Sequence, residues 1–405
     1  MEQFTAFDYV LISIANAYGL DKLLFEDRIQ WCKNQGKKLY QLTNEAEDPA
    51  LYLRGIQELQ RLVSGKTDSN YMIGLDACSS GIQLLSCLSG CMTTAAQCGL
   101  VNPNERSDVY TKLAEVMNTY LPEDRHIGIN PEGFTRKDLK DPFMTHWYGS
   151  KAAPRNTFGE GTPELLAFYN ACTEMAPGAG ALLEDFLGCI DEERTEYSWI
   201  MPDGFDVRTK VMIPVDMKVE LQELLTEGGK PTTFTHRVYR EGQDPYYVAV
   251  AANITHSCDS LLVRELKRRA GYDRTWMNKV YAEMQNQGIQ PNLYASEKFV
   301  SLRKMENWKN QPINIQSKLM AIIEQTKDYP AYDVVTVHDE FKCSPVHMNM
   351  TRFIYAELLA EIAESDLCQE ILRQVYRDDT LVYEKEGDGD LLAKTIRENA
   401  NYALS

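Results

Sequence analysis

From residue 7 to residue 63 apolar side chains recur at intervals of three and four. This spacing predicts helices over FDYVLISIANAYGLDKLL, FEDRIQWCKNQGKKLYQLT and DPALYLRGIQELQRLV, each opening near Asp or Glu. The pattern then changes. In NYMIGLDACSSGIQLLSCLSGCM a short apolar strand, Tyr71 to Leu75, meets Asp76 and turns through small residues into an apolar helix, leaving Asp76 at a strand end. Residues 102–130 read as helical with a proline-bounded end, and 163–190 as helix-rich. MPDGFDVRTKVMIPVDMKVELQEL and THRVYREGQDPYYVAVAANITHS alternate apolar and polar residues, the period of β-hairpin strands. Residues 258–330 are polar and helical. A last apolar strand, Val334 to Val337, stops at a turn exposing Asp339, with Phe341 and Cys343 starting the return strand. Helices follow, and no internal repeat or low-complexity linker interrupts the chain.

Composition narrows the class. With 405 residues and 44% hydrophobic content the chain can bury a large core, in two or three lobes. A formal charge of −17 argues against a simple basic glove for nucleic acid, because phosphate would meet a like-charged field. The 10 cysteines show neither a CxxC pair nor zinc-site spacing, so reduced, buried thiols are expected. No apolar window approaches the length of a membrane span, and acidic residues stand where a signal peptide needs basic ones. A soluble cytosolic chain with no membrane partner is the expectation. His126, His146, His236 and His347 read as packing or surface residues, and Trp147 as packing.

Three groups of residues carry chemistry. In VVTVHDEF, residues 334–341, Asp339 ends a strand; beside a second strand-end acid, Asp76, it suits a hard divalent cation held through oxygen. A capped turn with a solvated acid fits the same letters. Arg136, Lys140, Met144 and Tyr148 are spaced by four and followed by Gly149, so on a helix they form one slowly drifting stripe. Arg as a fork and Lys as a point charge or proton donor suit a triphosphate, while Met144 and Tyr148 offer a wall to base and sugar. An amphipathic helix with its basic turn in solvent is the plain alternative. Pro142 lies inside the stripe and predicts a kink, or a helix restarting after Asp141. Finally, DACSSGIQ, residues 76–83, sets small residues after Asp76 and then Gln83, whose amide can bond a ligand or a nearby loop. A strand-turn-helix junction would look similar.

Taken in order, Asp-x-x-x-Ser-Gly-x-Gln, Arg-x-x-x-Lys-x-x-x-Met-x-x-x-Tyr-Gly and Val-His-Asp resemble motifs A, B and C of the single-subunit DNA-directed RNA polymerases of phages and mitochondria. THSCDS (255–260) is similar to that family's His-Ser-x-Asp-Ser segment, and MPDGFDV to its Thr-Pro-x-Gly-Phe-Pro-Val. ANAYGLDKLLFEDRIQW resembles the helical stretch before motif A, and NANYALS the apolar, aromatic tail near the active site. The resemblance implies an α+β, mainly helical fold with the palm and fingers of a right-hand polymerase, lacking the N-terminal domain and thumb. Residues 1–100 would form the N-terminal part of the palm and 101–255 the fingers. Residues 256–405 would complete the palm, with an insertion at about 260–330 that is a candidate docking surface.

The implied chemistry is two-metal nucleotidyl transfer: Asp76 and Asp339, with the Ala77 carbonyl, hold two Mg²⁺. By the same resemblance Arg136 and Lys140 would bind the triphosphate, Lys140 would donate a proton to pyrophosphate, and Met144 would stack at the forming base pair. Related DNA polymerases place Glu five residues after the motif A Asp; Gly81 stands there in this chain and leaves room for a ribose, which Tyr148 and His256 would hold. His338 would sit near the transcript's 3′ end, and the apolar strand before it would hold Asp339 rigidly. Glu340, where most of the RNA polymerases have a small residue, is not counted as a ligand.

Only 75 residues precede Asp76, and an Asp-x-Arg-Gly-Arg template segment is absent from the chain. In this the chain is similar to the larger subunit of the split, heterodimeric RNA polymerases of N-four-like podophages. That implies a second subunit supplying N-terminal domain, thumb and Asp-x-Arg-Gly-Arg segment, a DNA template in single-stranded form, an RNA product, and a phage single-stranded DNA-binding protein as recruiter, in the cytoplasm of an infected bacterial host. A basic partner would offset the charge, leaving Arg136, Lys137, Lys140, Lys151 and Arg155, or Arg264, Lys267, Arg268 and Arg269, to face phosphate. The rivals are a DNA polymerase of the related family, favoured by VHDE; an inactive polymerase-like scaffold; and an unrelated Mg²⁺ phosphohydrolase.

Overall fold

A computed structural model of the chain describes residues 1–66, 70–128, 134–294 and 299–405. Residues 131–133, just ahead of the Arg136 stripe, and Lys298 of the long polar stretch lie outside them. Capping sets where the first helices begin. Thr5 and Asp8 bond reciprocally as a capping box for α1 (Ala6–Tyr18). After α2 (Phe25–Gln35), Asp48 accepts from Leu51 N to start α3 (Pro49–Val63), where Pro49 suits the first turn. α1 packs against both neighbours and buries Tyr9, Ile12 and Ile14 with Phe25, Tyr52 and Ile56.

Strand β1 (Ile73–Asp76) then leads into α4 (Ser80–Ser89), which is buried from Ile82 to Ser89. Helices α5 (Met92–Ala95), α6 (Val109–Thr119), α7 (Arg136–His146), α8 (Ala152–Phe158), α9 (Pro163–Met175) and α10 (Pro177–Gly188) follow. The region expected to be helical over 102–130 holds α6 and one 3-10 turn, Glu123–Arg125. Contrary to a restart after Asp141, α7 runs through Pro142 as one helix. The missing N–H leaves the carbonyl of Asp138 without its helical partner, and Asp138 is exposed, so water can bond it.

Two hairpins come next: β2 (Glu196–Ile200) with β3 (Asp206–Lys210), and β4 (Met212–Leu225) with β5 (Pro231–Glu241). The second is a long ribbon in which Val215 faces Val238 and Val219 faces Phe234. It stands off the body, with Met217 and Tyr239 still 40% and 64% exposed. The hairpin pattern ends at Glu241, and α11 (Ala249–Gly271) takes over. The last part of THRVYREGQDPYYVAVAANITHS is therefore helix, because Val250, Ile254, Cys258, Leu261 and Leu262 repeat at helical spacing and are buried together.

The polar stretch beyond α11 contains α12 (Arg274–Asn286) and α13 (Ile313–Thr326) around a small core of their own, including Met277, Met284, Trp308 and Ile322. It is bolted to the main body by buried polar bonds: Leu302 N donates to Glu265 at 3.0 Å, and Lys318 lies 3.4 Å from Glu364. The chain closes with β6 (Val335–Val337), β7 (Glu340–Cys343), α14 (Met348–Glu364), α15 (Leu367–Tyr376) and α16 (Gly389–Asn399).

The central sheet is antiparallel in the order β1-β7-β6, with Ile73 opposite Cys343 and Asp76 opposite Glu340. Alternation puts Ile73, Leu75, Phe341 and Cys343 in the core and Gly74, Asp76, Glu340 and Lys342 on the outer face. Residues 403–405 lie along the other edge of this platform. Cys78 N donates to Ala403 O at 3.1 Å, and Ser405 N to Asp76 O at 2.9 Å.

Gln83 fastens that edge. Its side-chain amide donates to Cys98 O at 2.9 Å and to Ala403 O at 3.0 Å, and its oxygen accepts from the Tyr355 hydroxyl at 2.6 Å. Of the two roles open to this amide, bonding a ligand or bonding a loop, the fold uses the second. Gln83→Leu should cost about 2–4 kcal/mol, since it leaves the Cys98 carbonyl and the Tyr355 hydroxyl buried without partners and takes from the Ala403 carbonyl one of its two donors. Urea unfolding of wild type and variant measures it.

Candidate active site

Asp76 ends β1 and Asp339 occupies the turn between β6 and β7, so acids from distant parts of the chain meet at one end of the sheet. Ala77 N donates to Asp339 O at 3.0 Å and ties the two segments together. The turn is tight: His338 adopts φ 56°, in the left-handed region, and its ring is exposed. β6 is not the buried support expected. Val335 and Val337 are 47% and 49% exposed on the outer strand, and β1 and β7 supply the rigidity.

Neither carboxylate has an ion pair or hydrogen bond among the described residues. The Asp76 carboxyl is held above its usual range, first by partial burial and then by the charges of Glu340 and Asp339. Two oxygen donors of like charge with no cation between them fit a hard divalent ion such as Mg²⁺. The Ala77 carbonyl accepts from Ser79 N at 2.9 Å and keeps a second lone pair. No group of three acidic, histidine or cysteine side chains is gathered as a metal cage among the described residues.

Helix α7 presents its stripe as the spacing predicts. Leu139, Phe143 and Trp147 face the core, while Lys140 and Met144 are exposed on the opposite side. Arg136 lies with its guanidinium 4.7 Å from the Tyr110 ring centre and its Nε 3.4 Å from Asp108 Oδ1. That contact is half-exposed and weak, so the fork is easily redirected. Lys140 makes no ion pair among the described residues. Beyond the helix cap, Gly149 takes φ 84°, which favours glycine and lets the chain turn sharply after Tyr148.

Tyr148 is where this helix meets the sheet. A Cβ on Gly81 would lie 2.8 Å from the Tyr148 hydroxyl oxygen and 3.2 Å from Cζ. The room expected at Gly81 is therefore taken by the tyrosine rather than left open. The Tyr148 ring sits 4.8 Å from that of His256, and its phenol is pushed up to about 12 by burial and by the charges of Asp259 and Asp339. The structure thus brings together Asp76, Ala77, Gly81, Tyr148, His256 and Asp339. Arg136, Lys140 and Met144 line the approach, and His338 flanks the turn.

Asp259 was not singled out from the sequence, although it stands three residues after His256. One helical turn carries it to the same face, toward Tyr148 and Asp339. Burial and the Asp339 charge raise its carboxyl to about 6. The basic patch expected over 264–269 is largely spent inside the protein. Arg264 and Arg268 both bond Asp203, at 2.6 and 2.9 Å. Arg269 is fully buried against Glu361 at 2.6 Å, because α11 packs on α14 there. Lys151 and Arg155 instead line a cavity of about 480 Å³ beside Gly149.

Comparison with known proteins bears on this arrangement. Residues 3–157 match the family described as DNA-dependent RNA polymerase. Over 169 residues the chain is 28% identical to the DNA-directed RNA polymerase of Pseudomonas phage phiKMV, covering 35% of this chain and 21% of that protein. Over 161 residues it is 24% identical to the mitochondrial DNA-directed RNA polymerase of Schizosaccharomyces pombe, covering 35% of this chain and 14% of that protein. The matched stretch is thus about a fifth or less of these relatives' length. The polymerase match contains Asp76, Gly81, Arg136, Lys140, Met144 and Tyr148, while His256 and Asp339 fall beyond it.

Asp259 sets a pH test. Its folded value lies above the unfolded value of 3.8, so the stability it contributes is present below about pH 4 and is lost as pH rises through about 6. In metal-free buffer Asp259→Asn should therefore be more stable than wild type at pH 7.5, and the difference should vanish near pH 4. Thermal unfolding across that range checks it.

Proposed function

We propose that this chain is the catalytic part of a split DNA-directed RNA polymerase, joining ribonucleotides by two-metal nucleotidyl transfer. The observation that carries the reading is the meeting of Asp76 and Asp339, unpaired by any cation, beneath Tyr148 at the end of a helix bearing Arg136 and Lys140. In a right-hand polymerase, the β1-β7-β6 sheet with α4 and α14 corresponds to the palm, and residues 101–255 to the fingers.

Asp76 and Asp339, with the Ala77 carbonyl, would hold two Mg²⁺, which when bound neutralise charge at the reacting phosphate. The chain's own side chains do the rest. Arg136 leaves Asp108 and forks onto the triphosphate, and Lys140, free on the same face, gives a proton to the departing pyrophosphate. Met144 packs against the new base pair. Tyr148 over Gly81, with His256 beside it, lines the sugar. A side chain at position 81 could not share that space with Tyr148, so the tyrosine rather than open room shapes the sugar's surroundings there. His338 lies beside the transcript's 3′ end.

The charge of the chain supports a second subunit. With −17 formal charges and Arg264, Arg268 and Arg269 tied to acids, the chain presents a net acidic field to a duplex. The partner would bring a cationic surface, thumb and template segment. On the same reading the template is single-stranded DNA delivered by a phage single-stranded DNA-binding protein in an infected bacterium.

The test is RNA synthesis on single-stranded DNA with ribonucleotides and Mg²⁺, by the chain alone and with its second subunit. RNA from the mixture is expected, and deoxyribonucleotide incorporation instead would favour the DNA polymerase rival. Asp339→Ala should lower synthesis about 10³-fold or more, the loss of several kcal/mol of charge stabilisation. Its unfolding temperature without metal should equal or exceed wild type, because a repulsion with Asp76 is relieved. Retained synthesis would overturn the assignment.

A further inference from the structure

We infer that Glu340 is a third carboxylate for the divalent-ion site, stored over Gly74 by Lys342 and released toward Asp76 and Asp339 when an ion binds. This rests on the two-metal reading above. The starting point is register: Glu340 is the cross-strand partner of Asp76, so their side chains stand side by side on the outer face of the sheet. Two acids directly opposite each other on paired strands repel. A sheet that keeps such a pair needs somewhere for one of them to go.

Two features provide it. Lys342 lies two residues along β7 on the same face, and its Nζ is 2.9 Å from Glu340 Oε2. Its own cross-strand partner is Gly74. A Cβ at Gly74 would sit 2.8 Å from Glu340 Cδ and 3.1 Å from Cγ, so the glutamate side chain lies flat across the bare backbone of this glycine. The carboxylate leans back along the strand over Gly74 and toward Lys342, while its charge still reaches Asp76. This agrees with the lack of a gathered group of three ligating side chains among the described residues.

The storage is reversible by construction. The Glu340–Lys342 pair is 28% and 34% exposed, and ion pairs in that setting are weak. A divalent ion between Asp76 and Asp339 attracts a third carboxylate far more strongly than one ammonium in contact with water does. Glu340 needs only side-chain rotations to exchange one for the other.

Mn²⁺ binding to the intact chain without nucleotide, followed by titration calorimetry and by the electron paramagnetic resonance signal of free Mn²⁺, tests this. Wild type should bind, and Asp339→Ala should abolish binding. Glu340→Gln should weaken it about 10-fold, by loss of one of few anionic ligands, and Lys342→Met should tighten it about threefold or more, by freeing the stored acid. Both positions face solvent, and far-UV circular dichroism establishes that the variants are folded. Wild-type affinity in either Glu340→Gln or Lys342→Met, with Asp339→Ala still silent, overturns the role of Glu340 and leaves the two-acid site standing. Binding that survives Asp339→Ala overturns the metal site itself, and this inference with it.

Discussion

One buried amide holds the platform on which everything else rests. Gln83 reaches from α4 to the carbonyls of Cys98 and Ala403 and to the hydroxyl of Tyr355 on α14. Residues 403–405 are thereby fixed beside 76–78, where they take up the hydrogen bonds that the edge of β1 offers. The other edge of β1 is paired with β7, which brings Asp339. Clamped on both sides, the end of β1 can present Asp76 against nearby like charges without shifting. Such a network is strong because every member is satisfied in a dry setting.

The protein's handling of charge follows two rules by location. In the interior, arginines are consumed in pairing acids: Arg269 with Glu361, Arg397 with Glu357 and Glu364, and Arg268 with Asp203 and Glu265. Buried ion pairs of this kind add little net stability but are costly to break, so they fix how α11, α14 and α16 sit together. At the candidate site the balance is reversed. Acids converge without partners, and the basic side chains of α7 are left exposed or loosely held. A strongly acidic protein can in this way keep a small region ready for cations and phosphate.

Much of this was legible in the sequence where a local period decides the outcome. The first three helices, β1 ending at Asp76, the Asp339 turn and the Arg136 to Tyr148 stripe lie where apolar spacing puts them. The features that were missed depend on register or on contacts between distant segments. The placing of Glu340 against Asp76 requires knowing which residues of β1 and β7 are partners. Gly81 reads as empty space until Tyr148, at the end of another helix, is set over it. Arg269 looks like part of a basic surface run, yet it lies about 100° around α11 from Arg268, on the face of Leu262 and Glu265, and meets Glu361 in the core. Asp259 carries a local signal after all, since it lies within one helical turn of His256. Pro142 misled because local preference predicts a break, while burial of Leu139, Phe143 and Trp147 keeps the helix continuous.

The pairing of residues 76–78 with 403–405 also constrains when the site can exist. The partners are separated by more than 300 positions, so a ribosome adding roughly 5–20 residues per second exposes Asp76 tens of seconds before Ala403 and Ser405 emerge. For most of that interval β1 also lacks β7. The amino-terminal helices can collapse early around their own apolar faces, but the acid platform has to wait for residues 340–343 and 403–405. A nascent chain is thereby kept from assembling its two acids until the strand that brings Asp339 and the segment that closes the far edge of β1 are both present.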